Sequence, residues 1–208
     1  MSWLKKHLRL VVILLALVIC LVGIVLCSLL YGVYYRHWES PMARGFISAL
    51  HLPAAKVGSL VISYDDFLTN LDAEKRFVEQ TALQDPQTQI PTETELRSQA
   101  MNQALRVAAV ADFSAQRGVN ISSDEIDKAY DGIVARAGTS TTPEQFEGFL
   151  QSMFGWDKTT FKHFVVGPAL LEEALRAKQA TEWPDDTLFE KAVQDRLGQS
   201  DVVRYIKL

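Results

Sequence analysis

The chain has 208 residues, of which 48% are hydrophobic and 22% charged, with 21 Lys and Arg against 25 Asp and Glu. This length allows one compact domain with additional segments, or two very small domains, and the composition excludes a disordered or low-complexity chain. Two cysteines are too few for a disulfide framework or a four-cysteine zinc site, and the concentration of apolar residues at one end excludes a multi-pass membrane protein.

The first predicted element is a transmembrane helix over residues 10–33. These 24 residues carry no charge, and seventeen of them are Leu, Val or Ile. At 1.5 Å per residue they form a helix of about 36 Å, which is long enough to cross a hydrocarbon core of about 30 Å. Aromatic residues, which prefer the membrane interface, follow at Tyr31, Tyr34, Tyr35 and Trp38.

Basic residues give the orientation of this helix. Three of them lie within residues 1–9, and two, Arg36 and Arg44, follow the span. This bias predicts a cytoplasmic N-terminus over residues 1–9, with the rest of the chain outside. A cleaved signal peptide is the alternative, but its apolar region is normally shorter and ends in small residues, whereas Leu26 precedes Cys27 here. We therefore expect an uncleaved anchor.

Residues 34–56 are predicted to be a juxtamembrane linker, in which apolar residues could line one side of a short interfacial helix. Residues 57–208 are predicted to form the folded domain. They contain 15 Lys and Arg against 24 Asp and Glu, a net charge of −9. A surface this acidic argues against a nucleic-acid partner and against close contact with anionic lipid.

Capping signals predict that this domain is mainly α-helical. Thr92 with Glu95 and Ser122 with Glu125 form capping boxes, and Thr142 followed by proline begins another helix. Small side chains recur along the first of these helices, where they would let neighbouring helices approach closely: Ala100, Ala104, Ala108, Ala111 and Ala115. Helix-ending or kink-forming residues are Gly118, Gly138, Gly155, Gly167-Pro168 and Gly198.

Two short strands are predicted at the ends of the domain. Val57–Ile62 is enriched in Val and Ile, with Gly58-Ser59 as a candidate turn, and Val202–Leu208 alternates in the manner of a strand. A short isolated strand cannot satisfy its backbone hydrogen bonds. We therefore expect a small sheet in which Val57–Ile62 pairs with Val202–Ile206.

The sequence carries no recognisable catalytic or cofactor motif, and we predict no catalytic residue, metal or cofactor. His163 is the only histidine of the predicted domain, and a helix-surface or capping role explains it better than a general base. Asp124, Asp127 and Asp131 share one helix face, but they lack the calcium-loop spacing and have Lys128 among them. A solvated face explains them better than a cation site.

Seven large side chains lie within nineteen residues, and they are the predicted polypeptide-binding residues: Phe146, Phe149, Met153, Phe154, Trp156, Phe161 and Phe164. Their spacing fits either a core stripe or a binding groove. A small helical domain has difficulty burying all seven, and methionine beside aromatic rings suits an apolar surface that binds varied partners.

Two segments carry a family resemblance. Residues 57–67 (VGSLVISYDDF) are in register with the pattern V-N-G-x-x-I-s-x-x-D-[FY], although G-S replaces N-G. Residues 115–127 (AQRGVNISSDEID) match A-x-x-G-[IV]-x-[IV]-s-x-x-E-[IV]-d. Leu150, Gly155 and Trp156 fit the places that follow. The order of these motifs resembles the N-terminal domain of the SurA, PpiD and PrsA-type periplasmic folding factors.

This resemblance implies a mainly α-helical chaperone domain at the bacterial cytoplasmic membrane, with unfolded exported polypeptides as its partners. Such factors usually carry a parvulin-type prolyl isomerase domain, but only 30 residues follow Lys178, so we expect no isomerase activity. Two alternatives remain: an envelope adaptor or structural protein that binds one specific partner, and an enzyme related to prolyl isomerases.

Overall fold

The computed structural model describes residues 2–85, 87–138 and 142–207, with side chains described from residue 15 onward. The chain is mostly helical, at 72%, as the capping signals predicted. It divides into two compact units, one formed by the residues up to Leu50 together with Lys207, and the other by His51–Ile206.

The first unit consists of two helices, α1 (Ser2–Arg36) and α2 (Pro41–Leu50). Among the described residues, α1 is the one helix that is long and apolar enough to cross a membrane, over Leu15–Arg36. Its aromatic end folds compactly, since the Trp38 N–H donates to the Gly32 carbonyl at 3.1 Å. A Cβ atom on Gly32 would lie 2.4 Å from the Trp38 ring, so only glycine fits there.

The second unit begins with a β-hairpin and ends with a strand that joins it. The hairpin strands are β1 (Pro53–Val57) and β2 (Leu60–Ser63), and the C-terminal strand is β3 (Val202–Arg204). All pairs are antiparallel and the order is β2-β1-β3, with Val57 opposite both Leu60 and Val202. The expected sheet between the ends of the domain is therefore confirmed.

The strand boundaries differ from those predicted. Gly58 has a φ of 58°, which closes a two-residue turn and divides the run Val57–Ile62 between two strands. The partner of β3 is consequently Pro53–Val57, most of which lies in the predicted linker 34–56. That linker also contains the last residues of α1 and all of α2.

The helices of the second unit begin largely where their caps predicted. The side chains of Thr92, Ser122 and Thr142 each accept a hydrogen bond from the backbone N–H three residues later. The side chain of that later residue in turn accepts a hydrogen bond from the backbone N–H of the cap residue. Gly118 and Gly155 adopt φ values of 60° and 73° at helix ends. The helices are α3 (Tyr64–Gln84), α4 (Glu93–Gln116), α5 (Ser123–Arg136), α6 (Pro143–Phe154), α7 (Lys158–Phe161), α8 (Gly167–Lys178) and α9 (Asp186–Leu197).

A π-helical turn, Lys162–Val166, joins α7 to α8 directly before Gly167-Pro168, where the sequence predicts a kink. The Gly167 N–H donates to the Lys162 carbonyl, five residues earlier. Because Pro168 has no N–H to continue the regular ladder, the wider turn accommodates the missing bond without a break.

The core of this unit lies around α4, which packs against α3, α8, α9 and β1. Met101, Leu105 and Ala109 of α4 are fully buried. On the same face, Asp112 accepts a hydrogen bond from Arg196 of α9 at 2.8 Å, with both side chains at most 10% exposed. We call this side of α4 the sealed face.

Candidate functional site

A groove of about 560 Å³ opens on a second side of α4. Helix α4 contributes small apolar side chains to it, among them Ala104, Ala111 and Ala115. Because these side chains end at Cβ, the opposing elements leave a trough instead of interdigitating with α4. The other walls are formed by strand β2, the beginning of α5, and the π-helical turn with α8, through Leu60, Val61, Ile62, Ile121, Ile126, Phe164, Pro168 and Leu171.

The alanine stripe of α4 therefore divides between two roles. Ala100 is buried and allows close packing, which is the role predicted for all five alanines, and Ala108 is buried but also lines the groove. Ala104 and Ala111 are partly exposed and Ala115 is exposed, and these three line the groove. At these three positions the small side chains border the open space of the groove, and α8 forms part of its opposite wall.

The seven predicted binding residues form a surface that is neither core nor fully exposed. Phe149 is 51% exposed, and none of the seven is buried. The buried anchor of α6 is Leu150 instead, at 1% exposure. We call the seven residues, together with Phe77 of α3 and Tyr130 of α5, the aromatic band.

The rings of the aromatic band are in continuous contact. Phe77, Phe154, Trp156 and Phe164 stack in sequence, with successive ring centroids 5.5, 5.4 and 5.7 Å apart. Tyr130, Phe146 and Phe161 form an edge-to-face cluster beside them, with centroid distances of 5.8 to 6.3 Å. Phe149 lies 6.4 Å from Phe146 and 6.3 Å from Phe154, so it joins the two sets.

Phe164 connects the aromatic band to the groove, because its ring stacks on Trp156 and also lines the groove. The other six predicted binding residues do not line the groove. Sequence reasoning thus identified the band and missed the groove, whose walls combine one face of α4 with a few residues from each of several separate elements. The one sequence signal for the groove is the spacing of Ala104, Val107, Ala111 and Ala115 along a single helix face.

Charged groups border the groove in pairs. His163 Nε2 lies 3.8 Å from Asp66 Oδ1, and both side chains are substantially exposed. The Asp66 carboxylate, as acceptor for the imidazole N–H, raises the pKa of His163, and the same contact lowers the pKa of Asp66. Lys162 forms an ion pair with Asp127, one of the three aspartates assigned to a solvated face, and lies 5.2 Å from the Tyr130 ring centroid.

Two polar atoms of the aromatic band are buried without a hydrogen-bond partner among the described residues: Trp156 Nε1 and the Tyr130 hydroxyl. An unsatisfied buried polar group costs about 1–3 kcal/mol. A cluster selected for stability alone would give these atoms hydrogen-bond partners or replace them with apolar groups. The aromatic band therefore keeps its rings although the two unpaired atoms lower the stability of the fold.

Comparisons with known proteins place the chain in a family. The model of the SurA-like N-terminal domain family matches residues 1–162, from α1 to the beginning of the π-helical turn. Searches of curated proteins and of solved structures gave no significant match. The match contains both segments on which the sequence resemblance depended, residues 57–67 and 115–127. The chain therefore belongs to the SurA-like N-terminal domain family.

Proposed function

We propose that this protein is a membrane-anchored chaperone, a holdase that binds extended apolar segments of unfolded exported polypeptides. The observation that carries the proposal is the open apolar groove beside α4, continuous through Phe164 with the partly exposed aromatic band. Membership of the SurA-like N-terminal domain family supports the same role.

A polypeptide segment fits this surface better than a compact small molecule. The groove and the band are joined through Phe164 into one apolar surface that draws on several elements, and the charged groups at the groove border are already paired with each other. Met153 adds a flexible side chain that adapts to varied partners. The net charge of −9 over residues 57–208 keeps the protein soluble and favours segments flanked by Lys or Arg.

Helix α1 serves as the anchor in this proposal. It holds the N-terminus in the cytoplasm and the second unit outside the bacterial cytoplasmic membrane, following the basic residues of positions 1–9. Alkaline phosphatase fused after residue 207 is active only when it has been exported. We expect high activity from this fusion and none from a fusion after residue 9. The reverse pattern would contradict the orientation.

Binding in this proposal proceeds without prolyl isomerase catalysis. Holding a segment requires apolar area and an open groove, whereas isomerisation requires groups placed against the proline amide. A peptide isomerisation assay on the full chain in lipid nanodiscs should show the uncatalysed rate. A rate that rises with protein concentration would support the enzyme alternative.

The groove can be tested by filling it. Ala111→Phe places a ring in the groove, and Ala177→Phe places the same ring on the exposed surface of α8 as a matched control. With the full chain in nanodiscs, we expect the wild type and A177F to delay the aggregation of several unrelated unfolded proteins, measured by light scattering. A111F should lose most of this effect while unfolding at an unchanged temperature.

Two results would contradict the proposal. If A111F suppresses aggregation as well as A177F does, the groove is not the binding surface. If the wild type delays the aggregation of none of the unfolded proteins, the holdase role is wrong, and a single specific partner becomes the better explanation.

A further inference from the structure

Strand β2 is an edge strand that lies along the groove. Among the described residues, the sheet order β2-β1-β3 leaves one side of β2 without a strand partner, and Leu60, Val61 and Ile62 of this strand all line the groove. An edge strand presents backbone N–H and C=O groups that can pair with another chain. The free side of β2 therefore offers a backbone template beside an apolar trough.

The hydrogen-bond alternation identifies which residue of β2 presents these groups. The Tyr205 N–H donates to the Ala54 carbonyl, so the even-numbered residues of β1 direct their backbone groups toward β3. Ala55 and Val57 consequently face β2, opposite Ile62 and Leu60. Val61 lies between these two residues, and its N–H and C=O point away from β1, toward the free edge.

The edge at Val61 is accessible and lacks the features that usually block strand addition. The Val61 side chain is 61% exposed. The strand, Leu-Val-Ile-Ser, contains no proline, lysine or other charged residue, which are the common means of protecting an edge. The exposed edge of β2 is thus open to a further strand.

We propose that the bound polypeptide segment adds to β2 as an extended strand, with its backbone hydrogen-bonded to the N–H and C=O of Val61. This inference rests on the proposed function and specifies its geometry. Alternate side chains of the segment enter the groove over Ala104 and Ala111, where the absence of larger side chains leaves room for Val, Ile or Leu. A helical segment cannot bind in this way, because its backbone groups are already paired internally.

The backbone of the bound segment provides the test. The probe is a fluorescent nine-residue peptide of alternating valine and serine with a lysine at each end, bound to the full chain in nanodiscs and measured by fluorescence anisotropy. One derivative is N-methylated at every valine and a second at every serine. Because alternate N–H groups of a strand point to opposite sides, one derivative should bind about tenfold more weakly and the other about as well as the parent.

Each result of this experiment has a distinct meaning. If both derivatives bind as the parent does, or both lose affinity equally, the peptide does not add as a strand, and the proposal is wrong while binding in the groove stands. If the unmethylated peptide does not bind at all, both this proposal and the holdase function fail.

A protein variant provides a second test. Val61→Pro removes the outward N–H, and proline is tolerated on edge strands when its nitrogen faces solvent. Val61→Thr keeps the N–H and is the matched control. We expect V61P to bind the peptide about tenfold more weakly and V61T to bind like the wild type, with unchanged circular dichroism spectra. Equal affinity of V61P and V61T would overturn the proposal, and the peptide experiment decides independently if V61P does not fold.

Discussion

The sealed face and the groove face of α4 use the same small residue for opposite purposes. Ala109 on the sealed face is fully buried among the elements that pack on α4, whereas Ala111, two residues later, lines the groove. Both positions are alanines in the same regular helix, so local structure does not account for their different burial. What distinguishes them is what lies opposite, because the sealed face meets β1 and α9 and the groove face meets β2 and the π-helical turn across open space.

The largest decrease in the free energy of unfolding is expected from Arg196→Ala, which removes the buried ion pair on the sealed face. Removing Arg196 leaves the buried Asp112 carboxylate without its cation, and breaking such a pair typically costs about 3–5 kcal/mol. Urea unfolding followed by circular dichroism measures the free energy of unfolding. Asp201→Asn is the control, because Asp201 is half-exposed and Asp112 still holds Arg196. Similar losses in R196A and D201N would show that the buried contact does not matter.

The next largest effect is a difference in the free energy of unfolding between the same substitution made on the two faces. Ala109→Leu forces three carbon atoms into a filled core, and overpacking of this kind costs about 1–3 kcal/mol. Ala111→Leu extends into the groove and should change the free energy of unfolding by less than about 0.5 kcal/mol. Urea denaturation of both variants measures the difference. Equal destabilisation would mean that the groove closes in solution.

A smaller, pH-dependent effect is expected on a third, polar side of α4, where Glu74 of α3 faces Gln99, Asn102 and Gln103 across a cavity of about 760 Å³. Burial raises the pKa of Glu74 from 4.5 to about 7. Between these values the folded state binds more protons than the unfolded state, so Glu74 destabilises the protein as the pH rises through that window. Glu74→Gln removes this effect.

We expect E74Q and the wild type to be equally stable at pH 4.5. At pH 8, E74Q should be more stable by about 1 kcal/mol, which is less than the pKa shift alone implies because Glu74 is only half-buried. Urea unfolding at the two pH values provides the comparison. A stability difference that does not change between pH 4.5 and pH 8 would contradict the raised pKa.

The smallest effect is expected at the groove border. Asp66 raises the pKa of His163, so the contact stabilises the folded state fully below the ordinary histidine pKa and is lost as the pH rises through the raised value. Because both side chains are substantially exposed, His163→Asn should cost a few tenths of a kcal/mol at pH 5.5 and nothing at pH 8.5. Thermal unfolding at both pH values measures this, and a cost that is larger at pH 8.5 would reverse the assignment.

The features predicted correctly from the sequence are local ones. A capping box such as Ser122 with Glu125 requires residues three positions apart, so its geometry can be read without knowledge of the rest of the fold. The partner of β3 was predicted to be Val57–Ile62, but it is Pro53–Val57, which the sequence does not mark as a strand. Pro53–Val57 has little of the Val and Ile enrichment that marks a strand, and its place in the sheet comes from partners on both sides.

The proposed binding surface was predicted only in part, because a sequence shows where residues of one type are concentrated but not which distant residues the fold brings together. The aromatic residues of 146–164 stood out by their number, and the structure gathers them into one band. The groove has no such signal, since Val61, Ala111 and Ile126 are ordinary apolar residues until β2, α4 and α5 are brought around one space.

The pairing of Val57 with Val202 has a consequence for how the molecule matures. The hairpin that carries β2 shares its first strand with β3, and a Cβ atom on Gly58 of its turn would lie 2.7 Å from Arg196 Nη2. These contacts join segments some 145 positions apart, and loop closure of that length is slow. During synthesis α1 is made before β3. The hairpin of a nascent copy therefore lacks its third strand until β3 has been made, and the copy is incompletely folded during that interval.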